Sequence, residues 1–176
     1  SLQKMLKVGA ALTAVNKRKS KGITCLDPNY TSDFTGGTDG WSAGAGVHSV
    51  GAPFSVGGED NALRGRSADA TSPDAPSTIT KTLGTSTTAG CVYSYSLKCY
   101  IPSANNDLLY IDTITAGGTT TSVDSSEPTN DTWITKTGTF TAASATTAFS
   151  ITWNNDNDTG PGADMLYIKD IVLELN

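Results

Sequence analysis

The stretch Cys91-Val92-Tyr93-Ser94-Tyr95-Ser96-Leu97-Lys98-Cys99-Tyr100-Ile101 decides the fold. Cys91, Tyr93, Tyr95, Leu97, Cys99 and Ile101 fall on alternate positions, with Val92, Ser94, Ser96, Lys98 and Tyr100 between them. A period of two sends these sets to opposite sides of a β-strand. The first set is apolar enough to face a core. The second is an open face carrying two hydroxyls, a lysine and a ring.

The same grammar extends in both directions. Ile23–Leu26, Gly46–Val50, Ala62–Gly65, Ser77–Lys81, Leu108–Ile114, Trp133–Thr141, Ala148–Trp153 and Met165–Leu175 read as further strands, most of them short and bounded by Gly, Asn, Asp or Ser. In the last of these both faces carry apolar residues, which predicts a central strand. No helical period appears after residue 24, and no fixed repeat is present. So many short strands in one chain of 176 residues predict a single all-β sandwich or barrel. No run of about 18 apolar residues exists to span a bilayer as a helix.

Charge is unevenly placed. Residues 1–24 hold Lys4, Lys7, Lys17, Arg18, Lys19 and Lys21 and no acid. The remaining six basic residues face all 17 acidic ones, a net of −11. Leu2, Met5, Leu6, Gly9, Leu12 and Val15 recur at helical spacing, and Gly22 follows a basic last turn. Residues 1–24 are therefore expected to form a basic α-helical arm and residues 25–176 a β-sandwich. An apolar stripe on a helix needs a cover. Leu2, Met5, Leu6, Leu12 and Val15, with Lys17, Arg18 and Lys19, are the expected contacts to a partner subunit or a second copy. The short run at 8–15 is followed by Lys17-Arg18-Lys19 with no cleavage pattern, so an export signal is the poorer reading. The acidic body argues against an extended nucleic-acid surface.

Of the three cysteines, Cys91 and Cys99 share a strand and lie about 26 Å apart, beyond disulfide reach. Buried thiols in a reducing cytoplasm are the expected state. His48 is the only histidine, with no zinc-like spacing or nucleophile motif beside it. The acids fall mostly in turn-like loops, where no pair stands out as a glycosidase couple. The chemistry points to a non-enzymatic protein.

The order of motifs resembles a known family. Asp33-Phe34, Gly40-Trp41, Ala62-Leu63-Arg64, Gly90-Cys91-Val92-Tyr93, Thr132-Trp133 with Gly138-Thr139-Phe140-Thr141, and Leu166-Tyr167-Ile168-Lys169-Asp170-Ile171 occur in sequence. This series resembles the jelly-roll carbohydrate-binding modules, in the version appended to bacteriophage structural proteins, over roughly residues 27–175. The resemblance implies a two-sheet antiparallel jelly-roll β-sandwich, no catalysis and a structural calcium ion. It places Trp41 and Trp133 in the core and assigns calcium to Asp33 and Asp170, although the family has two acids where this chain has Lys169-Asp170.

A second candidate calcium site is the loop Asn154–Asp164, where Asp156, Asp158 and Asp164 offer hard oxygen ligands. Trp153 and Tyr100 are the expected surface rings for stacking on a sugar. Ser94, Ser96 and Lys98 supply hydrogen bonds beside Tyr100. The resulting expectation is a virion structural or capsid-decoration protein, assembled in the host cytoplasm and tethered to other virion proteins or to itself by its arm. The alternative is a glycan-binding adhesion module for host-surface or extracellular polysaccharide.

Overall fold

The computed structural model describes residues 17–20, 22–68, 76–105, 108–154 and 164–176, the first of these for the backbone alone. The chain is all-β. Strands β1 (Lys17–Ser20) and β2 (Ile23–Leu26) form an antiparallel hairpin with Ser20 opposite Ile23. Gly22 takes φ +79° in the connecting turn, a conformation open to glycine at little cost.

This hairpin corrects the helical reading at the end of the arm, over Lys17–Ser20 and from Ile23 onward. Lys17, Arg18 and Lys19 lie on a strand, opposite Leu26, Cys25 and Thr24. The glycine taken as a helix terminator closes a β-turn instead. Leu2, Met5, Leu6, Leu12 and Val15 lie outside the described residues, and the partner contacts expected of them lie there too.

Two larger sheets build the sandwich. Strands β3 (Tyr30–Thr31), β4 (Ser42–Ala43), β5 (Val47–Val56), β6 (Glu59–Ser67), β7 (Ser77–Thr82), β8 (Val92–Tyr100) and β9 (Ile111–Ala116) come first. They are followed by β10 (Thr119–Ser122), β11 (Ile134–Thr141), β12 (Ala148–Trp153) and β13 (Met165–Leu175). The five-stranded sheet has the order β10-β9-β12-β7-β4. The six-stranded sheet has the order β11-β8-β13-β6-β5, with β3 added beside the second half of β13. All pairings are antiparallel.

Ile79, Ile111, Ile114, Phe149, Ile151 and Trp153 of the first sheet meet Leu63, Tyr93, Leu97, Leu166, Ile168 and Leu173 of the second in one buried core. The alternation of β8 is as the sequence dictates. Cys91, Tyr93, Tyr95, Leu97, Cys99 and Ile101 are all buried, while Ser94, Ser96 and Lys98 reach outward.

Strand β13 is central, flanked by β8 and β6, but its faces are assigned by a bulge. Lys169 pairs with Lys98 and Val172 with Ser96, so one extra residue enters β13 there. Asp170, at φ +50°, sits in that bulge. Before it, Leu166 and Ile168 point into the core; after it, Ile171, Leu173 and Leu175 do. Met165, Tyr167, Lys169, Val172 and Glu174 face out.

Cys25 and Cys91 are joined in a disulfide, and Cys99 is a buried free thiol. This overturns the expectation of buried thiols throughout. The reach argument that separates Cys91 from Cys99 does not apply to β2, which lies beside the start of β8. The Tyr93 hydroxyl donates to the Leu26 carbonyl (2.7 Å), and the Leu26 amide donates to Thr88 Oγ1 (3.0 Å), so β2 is fastened at the residue that follows its cysteine. Burial pushes the Cys99 thiol up to about 11.

Candidate functional site

The outer faces of the two sheets differ in chemistry. On the five-stranded sheet, Thr78, Thr80 and Thr82 of β7 lie in register beside Ser150 and Thr152 of β12, with Thr113 and Thr115 of β9 beyond. Their hydroxyls bond to one another, as in Thr78–Thr152 (2.9 Å) and Thr115–Thr120 (2.9 Å). These residues bring neither a ring nor a charge.

The outer face of the six-stranded sheet brings both. Phe54 of β5, Tyr167 of β13, Tyr100 of β8 and Trp133, just before β11, form a continuous stripe of rings across the sheet. Successive centroids lie 6.3, 6.1 and 5.5 Å apart, within the range of favourable aromatic pairing. Phe54, Tyr167 and Trp133 are half-buried. Arg64 of β6, opposite Tyr167 in the register, lays its guanidinium 3.9 Å over the Phe54 ring.

The β5–β6 turn completes the arrangement. Gly57 and Gly58 take φ +60° and +78°, as a tight hairpin turn demands. A Cβ on Gly57 would lie 2.5 Å from the Tyr100 ring and 2.9 Å from Trp133 Nε1. The indole N–H donates to the Val56 carbonyl at 3.0 Å. The turn thus lies on Tyr100 and pins Trp133.

Charged groups frame the stripe. Glu59 bridges Lys98 (3.2 Å) and Lys169 (3.1 Å), and Asp170 approaches Lys98 at 3.7 Å. The hydrogen bond from Lys169, with a further one from Lys98, holds the Glu59 carboxyl below the usual carboxylate range. Glu59 therefore stays ionised and paired, the opposite of a general acid. Beside the lysines lies a shallow depression of about 300 Å³, lined by Ser94, Ser96, Thr137, Thr139, Val172 and Glu174.

The expected site residues divide as follows. Lys98, Ser94 and Ser96 are on the outer face, as read from the alternation. Tyr100 is on that side of its strand but is only 9% exposed, because Gly57 and Trp133 cover it. It is the floor of the stripe and not its open ring. Trp153 is fully buried on the inner side of the other sheet, donating to Ser67 Oγ at 2.9 Å, and is excluded from the surface. Trp41 is a core residue, 2% exposed, packed on Phe149 with ring centroids 5.1 Å apart. Trp133 is not in the inter-sheet core and belongs to the outer stripe. Phe54, Arg64, Glu59, Tyr167 and Lys169 were not anticipated as site residues.

The proposed cation ligands fare differently. The Asp33 carboxylate accepts hydrogen bonds from the Thr35 amide (3.1 Å) and hydroxyl (2.7 Å) in a local turn. Asp170 faces the Lys98 ammonium. Among the described residues no three His, Cys, Asp or Glu side chains converge on a point. Asp33 and Asp170 are thus each engaged by a partner within the chain. Asp156 and Asp158 lie outside the described residues, and Asp164 is buried at their edge. Among the described residues no helix is long and apolar enough to cross a membrane.

No protein-family model matches the sequence, and no curated protein matches it. Solved structures do share its fold. The xylan-binding domain of carbohydrate-binding module family 22 superposes with a TM-score of 0.56 at 14% identity, over 83% of this chain and 93% of that one. The C-terminal family 22 module of Clostridium thermocellum Xyn10B gives 0.55 at 14% identity, over 83% and 92%. The second family 22 module of Paenibacillus barcinonensis Xyn10C gives 0.55 at 10% identity, over 84% and 99%. The chain spans only 28% and 45% of two multi-module structures from the same two proteins. The chain thus has the jelly-roll β-sandwich fold of a carbohydrate-binding module. The three single-module structures are described as carbohydrate-binding or xylan-binding.

Proposed function

We propose that this chain is a glycan-binding module whose binding surface is the outer face of the six-stranded sheet. The observation that carries the reading is the ring stripe Phe54–Tyr167–Tyr100–Trp133. Pyranose rings present C–H faces that stack on aromatic side chains, and their hydroxyls need a few placed polar partners. Phe54, Tyr167 and Trp133 supply the stacking faces. Arg64, Lys98, Ser94 and Ser96 supply donors and acceptors around them. The face is open and shallow, which suits a weakly held polysaccharide chain better than an enclosed small molecule.

The fold supports the same reading, since structures that share it are described as xylan-binding. Nothing among the described residues favours the particle-decoration reading over it. Affinity electrophoresis of the full chain in gels containing soluble polysaccharides, xylan among them, tests the proposal. Retardation by at least one polymer is expected, and Tyr167→Ala and Phe54→Ala should abolish it. Thr80→Lys, on the opposite sheet, should leave it unchanged. Migration unaffected by every polymer, or retardation lost only in the Thr80 variant, would refute the assignment.

A further inference from the structure

The body of this protein is strongly acidic, yet its outward-facing cations share one surface. Beyond residue 24 the basic residues are Arg64, Arg66, Lys81, Lys98, Lys136 and Lys169. Lys81 turns inward, donating to the Asp39 carbonyl and lying 4.7 Å from the Tyr30 ring centroid. Lys136 turns inward to Asp124 at 2.8 Å. The other four project from the adjacent strands β6, β13 and β8, where Tyr167 is opposite Arg64, Met165 opposite Arg66, and Lys169 opposite Lys98. All four are on the sheet face that carries the ring stripe.

Within this group Arg64 has a distinct status. Lys98 and Lys169 are tied to Glu59, and Asp170 also approaches Lys98. Of the other acids on this side, Asp60 accepts from the Ser55 hydroxyl at 2.6 Å, and Asp131 from the Ser103 amide at 3.0 Å and the Tyr100 hydroxyl at 3.4 Å. Among the described residues no carboxylate pairs with Arg64, whose guanidinium is stacked on Phe54. A guanidinium covered on one face by a ring keeps its edge N–H groups free, in the fork geometry that fits a carboxylate. A sugar seated on Phe54 and Tyr167 would bring an acidic substituent to that edge.

We infer that the face selects an anionic glycan, a polysaccharide of acid-bearing sugars whose carboxylate is received by Arg64. This rests on the glycan-binding reading and narrows it to a ligand class. The acidic remainder of the body does not forbid it, because exposed charges beyond about 8 Å are screened at physiological salt.

The test is calorimetric titration of the full chain with polygalacturonate and, in parallel, with a neutral xylan of matched length. Polygalacturonate should bind about tenfold or more tightly than xylan, the worth of one charge-assisted bidentate contact, and its affinity should fall as salt rises. Arg64→Gln should remove that preference, weakening polygalacturonate binding about tenfold more than xylan binding, and Arg64→Lys should restore only part of it. Equal affinity for the two polymers, or a preference unchanged in Arg64→Gln, would overturn the anionic-ligand inference and leave the glycan-binding reading standing. Absence of binding to either polymer would remove the inference and weigh against the reading beneath it.

Discussion

Lys98 and Lys169 stand directly opposite one another in the antiparallel register of β8 and β13, two like charges on the same face of adjacent strands. Such a pair is repulsive unless something sits between them. Glu59, delivered from the start of β6, does so at 3.2 and 3.1 Å. The face that carries the ring stripe is therefore held together by a carboxylate from the hairpin that covers Tyr100.

Replacing Glu59 with Gln should lower the melting midpoint by about 2–4 °C, the effect of one modest surface ion network. The pH dependence has a definite sign. The folded-state pKa of Glu59 is held down by Lys169 and Lys98, below an unfolded value of about 4.3. Its contribution is therefore fully present above that value and is lost as pH falls through the folded value. Melting curves between pH 7 and 3 should show the wild type losing more stability than Glu59→Gln. Parallel pH profiles would count against the bridge.

Gly57→Ala should destabilise the protein by about 2 kcal/mol, combining a left-handed backbone with a clash. The added methyl group meets the Tyr100 ring and the Trp133 indole. Lifting the turn would break the bond from Trp133 Nε1 to the Val56 carbonyl, so indole fluorescence should shift to the red along with the loss of stability. An unchanged spectrum in a stable variant would show that the turn does not pin the ring.

The disulfide between Cys25 and Cys91 closes a loop with a sequence separation of 66. Loop-closure entropy alone assigns such a link about 4 kcal/mol, so reduction should lower the melting midpoint by about 10 °C. Thiol titration of the unfolded, unreduced chain should find Cys99 alone, and all three cysteines after reduction. Three reactive thiols before reduction would contradict the pairing.

Trp153→Phe should cost about 2 kcal/mol, because it opens space in the core and removes the indole partner of Ser67. It should leave polysaccharide retardation unaltered, since Trp153 lies inside the sandwich and away from the ring stripe. Loss of binding in a variant that melts normally would restore Trp153 to the surface.

These contrasts show where the sequence is readable. Strand β8 declares both faces, because its alternation is unbroken for eleven positions. The burial of Trp153 was also legible: in Ala148-Phe149-Ser150-Ile151-Thr152-Trp153 it shares parity with Phe149 and Ile151, a stronger signal than its nearness to an acidic loop. The cover over Tyr100 was not legible. It comes from Gly57, on a hairpin distant in sequence, and local patterning carries no trace of it. Phe54 and Arg64 escape for the same reason, since a cation–π stack between β5 and β6 depends on bulges in their pairing. Gly22 fits a helix terminus and a β-turn equally well, and only the partner strand decides. The Cys25–Cys91 link required knowing that β2 lies beside the head of β8.

The extra residue at Asp170 works as a phase shifter. Ahead of it, odd-numbered positions of β13 look outward and even-numbered ones inward; behind it the parity is reversed. The outward segment with Tyr167 and Lys169 can therefore drift in composition, and so in what it recognises, without re-phasing the core residues Ile171, Leu173 and Leu175. Were β13 to run on as a regular strand without the bulge, those three would turn toward solvent and Val172 and Glu174 would enter the sandwich. Recognition and folding share one strand here, yet they are written in two independent frames.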